Sequence, residues 1–273
     1  MLLVIDVGNT ETVVGIYGSA SETASAASAD ERSRGDGDSE LLDHWRIATN
    51  AERSGDEHAL LLAQFLSQHG FSFEDVGGIA VSSTVPRLTA TMRRMANRYL
   101  SVQTVILEPG VRTGMPILYE NPKEVGADRI ANAVGAYDLY GGPAIVVDFG
   151  TATTFDAITA AGEYAGGSIL PGVQISLDAL FERAAALKRV ELVEPRRVIG
   201  RTSVESIQSG MAFGTAALVD GICQRFEDEL GESTVISTGG LGGFFSRLSA
   251  RIEHHEPWLT LHGLRLIFEL NRD

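Results

Sequence analysis

Asp6-Val7-Gly8-Asn9-Thr10 is the stretch on which the reading of this chain turns. It closes the first apolar run, Met1 to Ile5, which has the composition of a short buried strand. A second apolar run, Thr12 to Tyr17, follows at hairpin distance. The turn between them sets a carboxylate, a glycine and two small polar residues side by side. Such a turn offers backbone N–H groups and hydroxyls to an anion, while the acid can hold a cation. Asp-x-Gly-Asn is also ordinary hairpin chemistry, so one copy decides nothing. A second copy carries more weight. Ala144-Ile-Val-Val-Asp-Phe-Gly-Thr-Ala-Thr-Thr154 repeats the order of apolar run, acid, glycine, hydroxyls and apolar run, with Asp148 lying 142 residues after Asp6. Two such hairpins predict a duplicated α/β fold, with halves at 1–141 and 142–273, each a mixed sheet flanked by helices.

The whole chain is consistent with that scale. Its 273 residues, 44% hydrophobic and 21% charged with 30 glycines, suit globular domains with many tight turns. A net charge of −14 argues against nucleic-acid backbones and anionic membranes as partners. It leaves room for a phosphorylated substrate, because a cation can bridge acids and phosphates. Positive charge is almost all arginine, with lysine only at Lys123 and Lys188. The single cysteine, Cys223, excludes an internal disulfide and sits in an apolar helical pattern, so an inert buried thiol is expected. No apolar run reaches bilayer length and no basic-then-apolar leader is present, so a cytoplasmic protein is expected.

Between the hairpins, residues 18–40 are rich in Ser, Ala, Asp and Gly and read as a flexible acidic excursion inside an enlarged hairpin loop. A strand resumes at Leu41 to Ala48. Ser54-Gly-Asp-Glu57 has capping-box spacing and predicts a helix to about His69. Gly77 to Ser82 reads as a strand, Pro86 opens a helix to about Leu100, and Val102 to Leu107 reads as another strand. Gly126-Ala127-Asp128-Arg129 then enters a helix, with Ile130, Val134 and Tyr137 at helical spacing. An arbitrary Asp-Arg there is usually dipole compensation and a surface ion pair. Gly126 weakens that bland reading, because it lets the backbone approach something closely just ahead of both charges.

In the second half, Gly166-Gly-Ser-Ile-Leu-Pro-Gly172 reads as strand and turn leading to a helix through about Leu187. Thr202-Ser-Val-Glu205 opens a long helix to about Leu230, with Ile207, Met211, Leu218 and Ile222 as its expected buried stripe and Thr202 as its N-cap. After a strand at Val235 to Ser237, Thr238-Gly239-Gly240 suits a purine or ribose lying on bare backbone, although a plain tight turn would look the same. The six histidines include no pair spaced for zinc, and His254-His255 point apart. Gly-x-Ser-x-Gly and the Walker A pattern are absent, which removes the usual serine hydrolases and P-loop kinases.

Taken in order, Asp6-Val-Gly-Asn-Thr10, Gly126-Ala-Asp-Arg129, Asp148-Phe-Gly-Thr-Ala-Thr-Thr154, Gly166-Gly-Ser-Ile-Leu-Pro-Gly172 and Thr238-Gly-Gly240 closely resemble the motifs of type III pantothenate kinases. That family falls in the acetate kinase/sugar kinase/heat-shock ATPase/actin superfamily. The first motif alone points to the superfamily, and Gly-x-Asp-Arg between the two turns makes the resemblance specific. It implies two ribonuclease H-like (actin-like ATPase) domains with the active site in the cleft between them, and a homodimer. It implies ATP-dependent phosphorylation of pantothenate, the first step of coenzyme A synthesis, with Mg²⁺ or another divalent cation accompanying ATP and a K⁺ or NH₄⁺ ion.

On matching positions, the resemblance makes Asp6, Val7, Gly8, Asn9, Thr10, Glu11, Thr12 and Val13 the ATP-binding hairpin, with Asp6 holding Mg²⁺ directly or through water. Thr151, with the Gly239–Gly240 turn, is placed on ATP, and Asp148 on the monovalent cation. Asp128 becomes the base that takes the substrate hydroxyl proton. Tyr119, Gly126, Ala127, Asp128 and Arg129 line the pantothenate site, joined by Thr202 or Ser203, where the family commonly has a threonine. The 18–40 excursion is longer than the family's usual loop. Two rival readings stand beside this one: a superfamily kinase acting on a sugar or carboxylate, and a non-catalytic accessory factor. Intact turns and an intact Asp128 favour the enzyme.

Overall fold

The computed structural model describes residues 1–19, 39–184 and 187–272. Residues 20–38, the body of the expected acidic excursion, lie outside them. The chain forms two compact units, one of residues 1–114, 121–135 and 260–273 and the other of residues 115–120 and 136–259.

The first unit contains strands β1 (Leu2–Val7), β2 (Glu11–Ser19), β3 (Ser39–Ala48), β4 (Gly78–Ser83) and β5 (Gln103–Ile106). They lie in the order β3-β2-β1-β4-β5. The hairpin pairs β1–β2 and β2–β3 are antiparallel, and β1–β4 and β4–β5 are parallel. Parallel neighbours need crossovers, and helices α1 (Gly55–Ser67) and α2 (Pro86–Tyr99) supply them. The capping box at Ser54 forms as its spacing predicts: the Ser54 hydroxyl accepts from the Glu57 amide and the Glu57 carboxylate accepts from the Ser54 amide. Leu62 and Leu66 of α1 and Leu88, Met92 and Met95 of α2 meet Leu3, Ile5, Ile79 and Val81 of the sheet in one core. Trp45 stacks on Phe65 at its edge, with ring centroids 5.1 Å apart.

The second unit repeats this wiring. Strands β6 (Ala144–Phe149), β7 (Ala152–Ile158), β8 (Tyr164–Pro171), β9 (Thr234–Thr238) and β10 (His254–His255) lie in the order β10-β9-β6-β7-β8. Here β6–β7 and β7–β8 are antiparallel, and β6–β9 and β9–β10 are parallel. The duplication read from the two acid-glycine turns is therefore a duplication of sheet topology, each half a mixed sheet flanked by helices. Helix α4 (Val173–Arg183) follows β8, α5 (Ser203–Leu230) crosses to β9, and the short α6 (Gly242–Phe245) follows the glycine run.

In helix α5, Ile207, Met211 and Ile222 of the expected stripe are half-buried against the core of the second unit, but Leu218 is not part of it. The helix's buried residues are Ser209, Ala212, Ala216, Val219 and Cys223, and Leu218 is exposed. The spacing is helical, and the most deeply buried positions are mostly small side chains. Cys223 is fully buried, and burial pushes its thiol up to about 12, which fits an inert packing role.

Two helices fix the segment that carries Asp128. Helix α3 (Ala127–Tyr140) opens in the first unit, and α7 (Leu259–Leu270) returns to it. The crossing is tight: a Cβ on Gly263 would lie 1.8 Å from the Ala131 carbonyl oxygen. Beside it, the Thr260 hydroxyl donates to Oδ1 of the fully buried Asn132 at 2.7 Å. Because that oxygen is held in a helix, Gly263→Ala is expected to destabilise the chain by about 1–3 kcal/mol or more, the cost of overpacking. Thermal melting of the variant checks this. An unchanged midpoint would mean the two helices separate freely.

Candidate active site

The first unit carries two of the sequence-predicted groups. Asp6 is the half-buried penultimate residue of β1, in register with Val13 on β2 and Ser82 on β4. After Val7 the turn closes with the Gly8 amide donating to the Glu11 carbonyl at 3.0 Å, and a Cβ at Gly8 would lie 2.9 Å from that same oxygen. Glycine is thus required for the turn's own tightness. Asn9, Thr10 and Glu11 are exposed at the tip, whereas Val7 and Thr12 are buried and Val13 is half-buried. Ser82 is fully buried, and its hydroxyl has no hydrogen-bond partner among the described residues. Side chains at one register level of adjacent strands share a face, so this hydroxyl lies on the Asp6 face of the sheet.

Gly126, Ala127, Asp128 and Arg129 form the entry to α3. Asp128 is half-buried, and one of its carboxylate oxygens accepts from the Arg129 amide at 2.9 Å. Burial pushes the Asp128 carboxyl above its ordinary value, while the Arg129 amide and guanidinium pull the other way. A Cβ on Gly126 would lie 2.4 Å from the Asp128 carboxylate. The close approach anticipated at Gly126 is therefore made by Asp128's own side chain. Arg129 is 7% exposed, a buried cation one residue from a half-buried acid.

The second unit carries the remaining groups. Asp148 is the penultimate residue of β6, in register with Thr154 on β7 and Thr238 on β9. Its turn is one residue shorter than the first, with the Gly150 amide donating to the Ala152 carbonyl at 3.0 Å. Thr151 is exposed at the tip, and its carbonyl accepts from the Gly172 amide at 3.1 Å. A Cβ at Gly172 would lie 2.3 Å from that oxygen, so the last glycine of the Gly166–Gly172 motif is needed to brace the turn. Gly239 is brought onto Asp148. Its φ is +83°, and a Cβ there would lie 2.4 Å from the Asp148 carboxylate and 2.8 Å from the Phe149 backbone. Gly240 beside it is exposed.

Tyr119 comes from the short segment that pairs with β8 through an Ile117–Tyr164 bridge. Its ring packs beside Gly166, where a Cβ would be 3.7 Å away. At the start of α5 the Thr202 hydroxyl accepts from the Glu205 amide at 3.1 Å as N-cap, and Ser203 is the first helical residue, exposed. Sequence reasoning missed Ser82, which lies in an apolar strand with no motif around it. It also missed Thr49, a single hydroxyl following β3.

Among the described residues no three His, Cys, Asp or Glu side chains converge as a metal-binding group. No helix among them is long and apolar enough to cross a membrane.

A family model described as type III pantothenate kinase matches residues 2–225. A type III pantothenate kinase of Streptomyces avermitilis is 50% identical over 280 residues, covering 99% of this chain and 98% of the relative. One from Moorella thermoacetica is 46% identical over 272 residues, covering 99% and 100%. Among solved structures, a Campylobacter jejuni protein assigned to the Baf family of transcriptional activators superposes with a TM-score of 0.58 at 19% identity, covering 98% of both chains. The activator of 2-hydroxyisocaproyl-CoA dehydratase from Clostridium difficile, with bound ADPNP, gives 0.50 at 11% identity, covering 99% and 95%. These two likenesses show the fold alone.

Proposed function

The chain belongs to the type III pantothenate kinase family, and from that premise we propose which of its residues carry the ATP-dependent phosphorylation of pantothenate. The reaction belongs to coenzyme A biosynthesis, and a divalent cation accompanies ATP. Phosphoryl transfer asks little covalent chemistry of a protein; positioning and charge stabilisation supply most of the catalysis. The assignment rests on one observation above others. Asp128 is a half-buried acid whose proton affinity is raised, set at a helix entry beside a buried arginine.

In this reading Asp128 accepts the proton of the pantothenate hydroxyl as its oxygen bonds to the γ-phosphorus of ATP. The bond from that phosphorus to the bridging oxygen breaks, and ADP leaves. A raised carboxyl pKa makes a stronger base. Arg129 pairs with the pantothenate carboxylate or with charge developing on the transferred group. Gly126 makes room for the Asp128 carboxylate, Ala127 lies beside it at the helix entry, and Tyr119 and Ser203 offer pantothenate a ring and a hydroxyl. With the Thr202 hydroxyl engaged as N-cap, Ser203 is the assigned contact.

The turns at Gly8 to Glu11 and at Gly150 to Thr151 offer amides and hydroxyls to the ATP phosphates, and the glycine turn at Gly239 and Gly240 receives the nucleoside. Asp6, on the same face of the sheet as Ser82, would hold the divalent cation directly or through water. The cation supplies neutralisation of phosphate charge. Asp148, with Thr238 at its register level, is assigned to K⁺ or NH₄⁺.

A homodimer is part of the same reading. Ile169, Ile175, Val198, Ile199 and Val204 all leave apolar surface exposed, Ile199 at 81%. Light scattering is expected to give twice the chain mass of 29.2 kDa, and Ile199→Glu to shift it toward the monomer. A monomeric wild type would remove the dimer.

The function itself is tested by an assay with ATP, Mg²⁺ and K⁺ that compares pantothenate with hexoses and acetate. Turnover of pantothenate is expected. Turnover of a hexose or acetate instead would favour the sugar or carboxylate kinase, and ATP binding without turnover would favour the accessory factor.

A further inference from the structure

The first turn is held by a residue that lies outside it in sequence. Thr49 follows the end of β3 and makes three hydrogen bonds to the turn. Its amide donates to the Thr10 carbonyl at 2.9 Å. Its hydroxyl donates to the Gly8 carbonyl at 2.8 Å and lies 2.8 Å from the Thr12 hydroxyl. A hydroxyl has one proton. Since Thr49 gives its proton to Gly8, the Thr12 hydroxyl must be the donor in the second contact. Thr12 is 1% exposed, so its proton is committed inside the protein. The chain of donors runs from Thr12 to Thr49 to the Gly8 carbonyl.

This chain has a directional consequence. A trans peptide is planar, with its C=O and N–H on opposite sides. Pinning the Gly8 carbonyl toward Thr49 therefore aims the Asn9 amide the opposite way, away from the brace. The second turn is braced differently. Gly172 makes the matching backbone bond to Thr151, and having no side chain it adds no hydroxyl. The first turn thus depends on one side chain for an orientation that the second secures by close backbone contact.

We propose that Thr49 is a positioning residue for ATP, its hydroxyl aiming the Asn9 amide at the triphosphate. This rests on the reading of the first turn as a phosphate-binding element. Thr49→Val keeps the side-chain shape and removes the hydroxyl; Thr49→Ser restores it. If valine prevents folding, Thr49→Ala carries the same comparison. The expected result for Thr49→Val is a loss of about ten-fold in kcat/KM for ATP, the scale of one net hydrogen bond. The KM for pantothenate should be unchanged and Thr49→Ser close to wild type. Kinetic constants per folded enzyme that match wild type, with only the melting temperature lowered, would overturn the proposal and leave Thr49 a structural brace. A loss confined to the KM for pantothenate would instead overturn the assignment of the turn to ATP phosphates.

Discussion

Asp128→Asn is expected to lower turnover of pantothenate by about 10²–10⁴-fold, the usual contribution of a positioned general base. Asparagine keeps the size of the side chain and an oxygen able to accept the Arg129 amide. If Asp128 served only the helix entry, the change would be nearly silent. The two roles therefore separate in one substitution. Stability supplies an independent sign. Burial raises the folded-state pKa of Asp128 above its ordinary 3.8, so the fold disfavours the ionised form. Stability associated with this group is fully present below the unfolded pKa and is lost as pH rises through the folded one. Near neutrality the neutral asparagine should melt no lower than wild type, and the difference should shrink in acid. A variant that loses both turnover and stability at neutral pH would point to a structural acid.

Gly239→Ala should be the most damaging single methyl in the second unit. At φ +83° an alanine is strained by itself, at a cost of about 1–3 kcal/mol. The added carbon would also lie 2.4 Å from the Asp148 carboxylate and 2.8 Å from backbone atoms of Phe149, which cannot swing aside. Relief requires moving the glycine turn, the Asp148 turn or both. A weakening of ATP binding by roughly ten- to hundred-fold follows if that strain appears in the nucleotide equilibrium. Gly231→Ala is the control, since Gly231 has φ +90° with nothing within 4 Å of an added Cβ. It should lower the melting temperature through strain alone and leave ATP affinity intact. Calorimetric titration with a non-hydrolysable ATP analogue reads both variants. Wild-type affinity in Gly239→Ala would detach this glycine from the nucleotide site.

The duplicated fold was legible because its signal is repeated. An acid and a glycine at the end of an apolar run, followed by a second run, mark β1–β2 and β6–β7, and the rest of each sheet follows their wiring. Capping boxes and Pro86 placed the helices to within a few residues, because they act locally. What was lost depended on packing. Leu218 is large and apolar, so it entered the expected stripe of α5, whereas close packing selected Ser209, Ala212 and Ala216 for the buried face. Helix α7 escaped notice because its polar side chains do not mark a solvent face. Leu261, Leu264, Ile267 and Phe268 are buried, and so are the polar His262 and Arg265. In the candidate site the motifs were legible and their supports were not. Gly126 was read as space for a ligand, but its missing Cβ makes room for the carboxylate of Asp128. Thr49 carries no spacing signal, since its partners Gly8, Thr10 and Thr12 lie on the far side of the hairpin loop.

The most direct test of the account is the pH dependence of kcat/KM for pantothenate, which reports the free enzyme's essential base. Wild type should lose activity toward acid with a midpoint above 3.8, the ordinary value for an aspartate, as Asp128 is protonated. The residual activity of Asp128→Asn should lack that limb. An acid limb that persists unchanged in Asp128→Asn would assign the base to another residue and contradict the account.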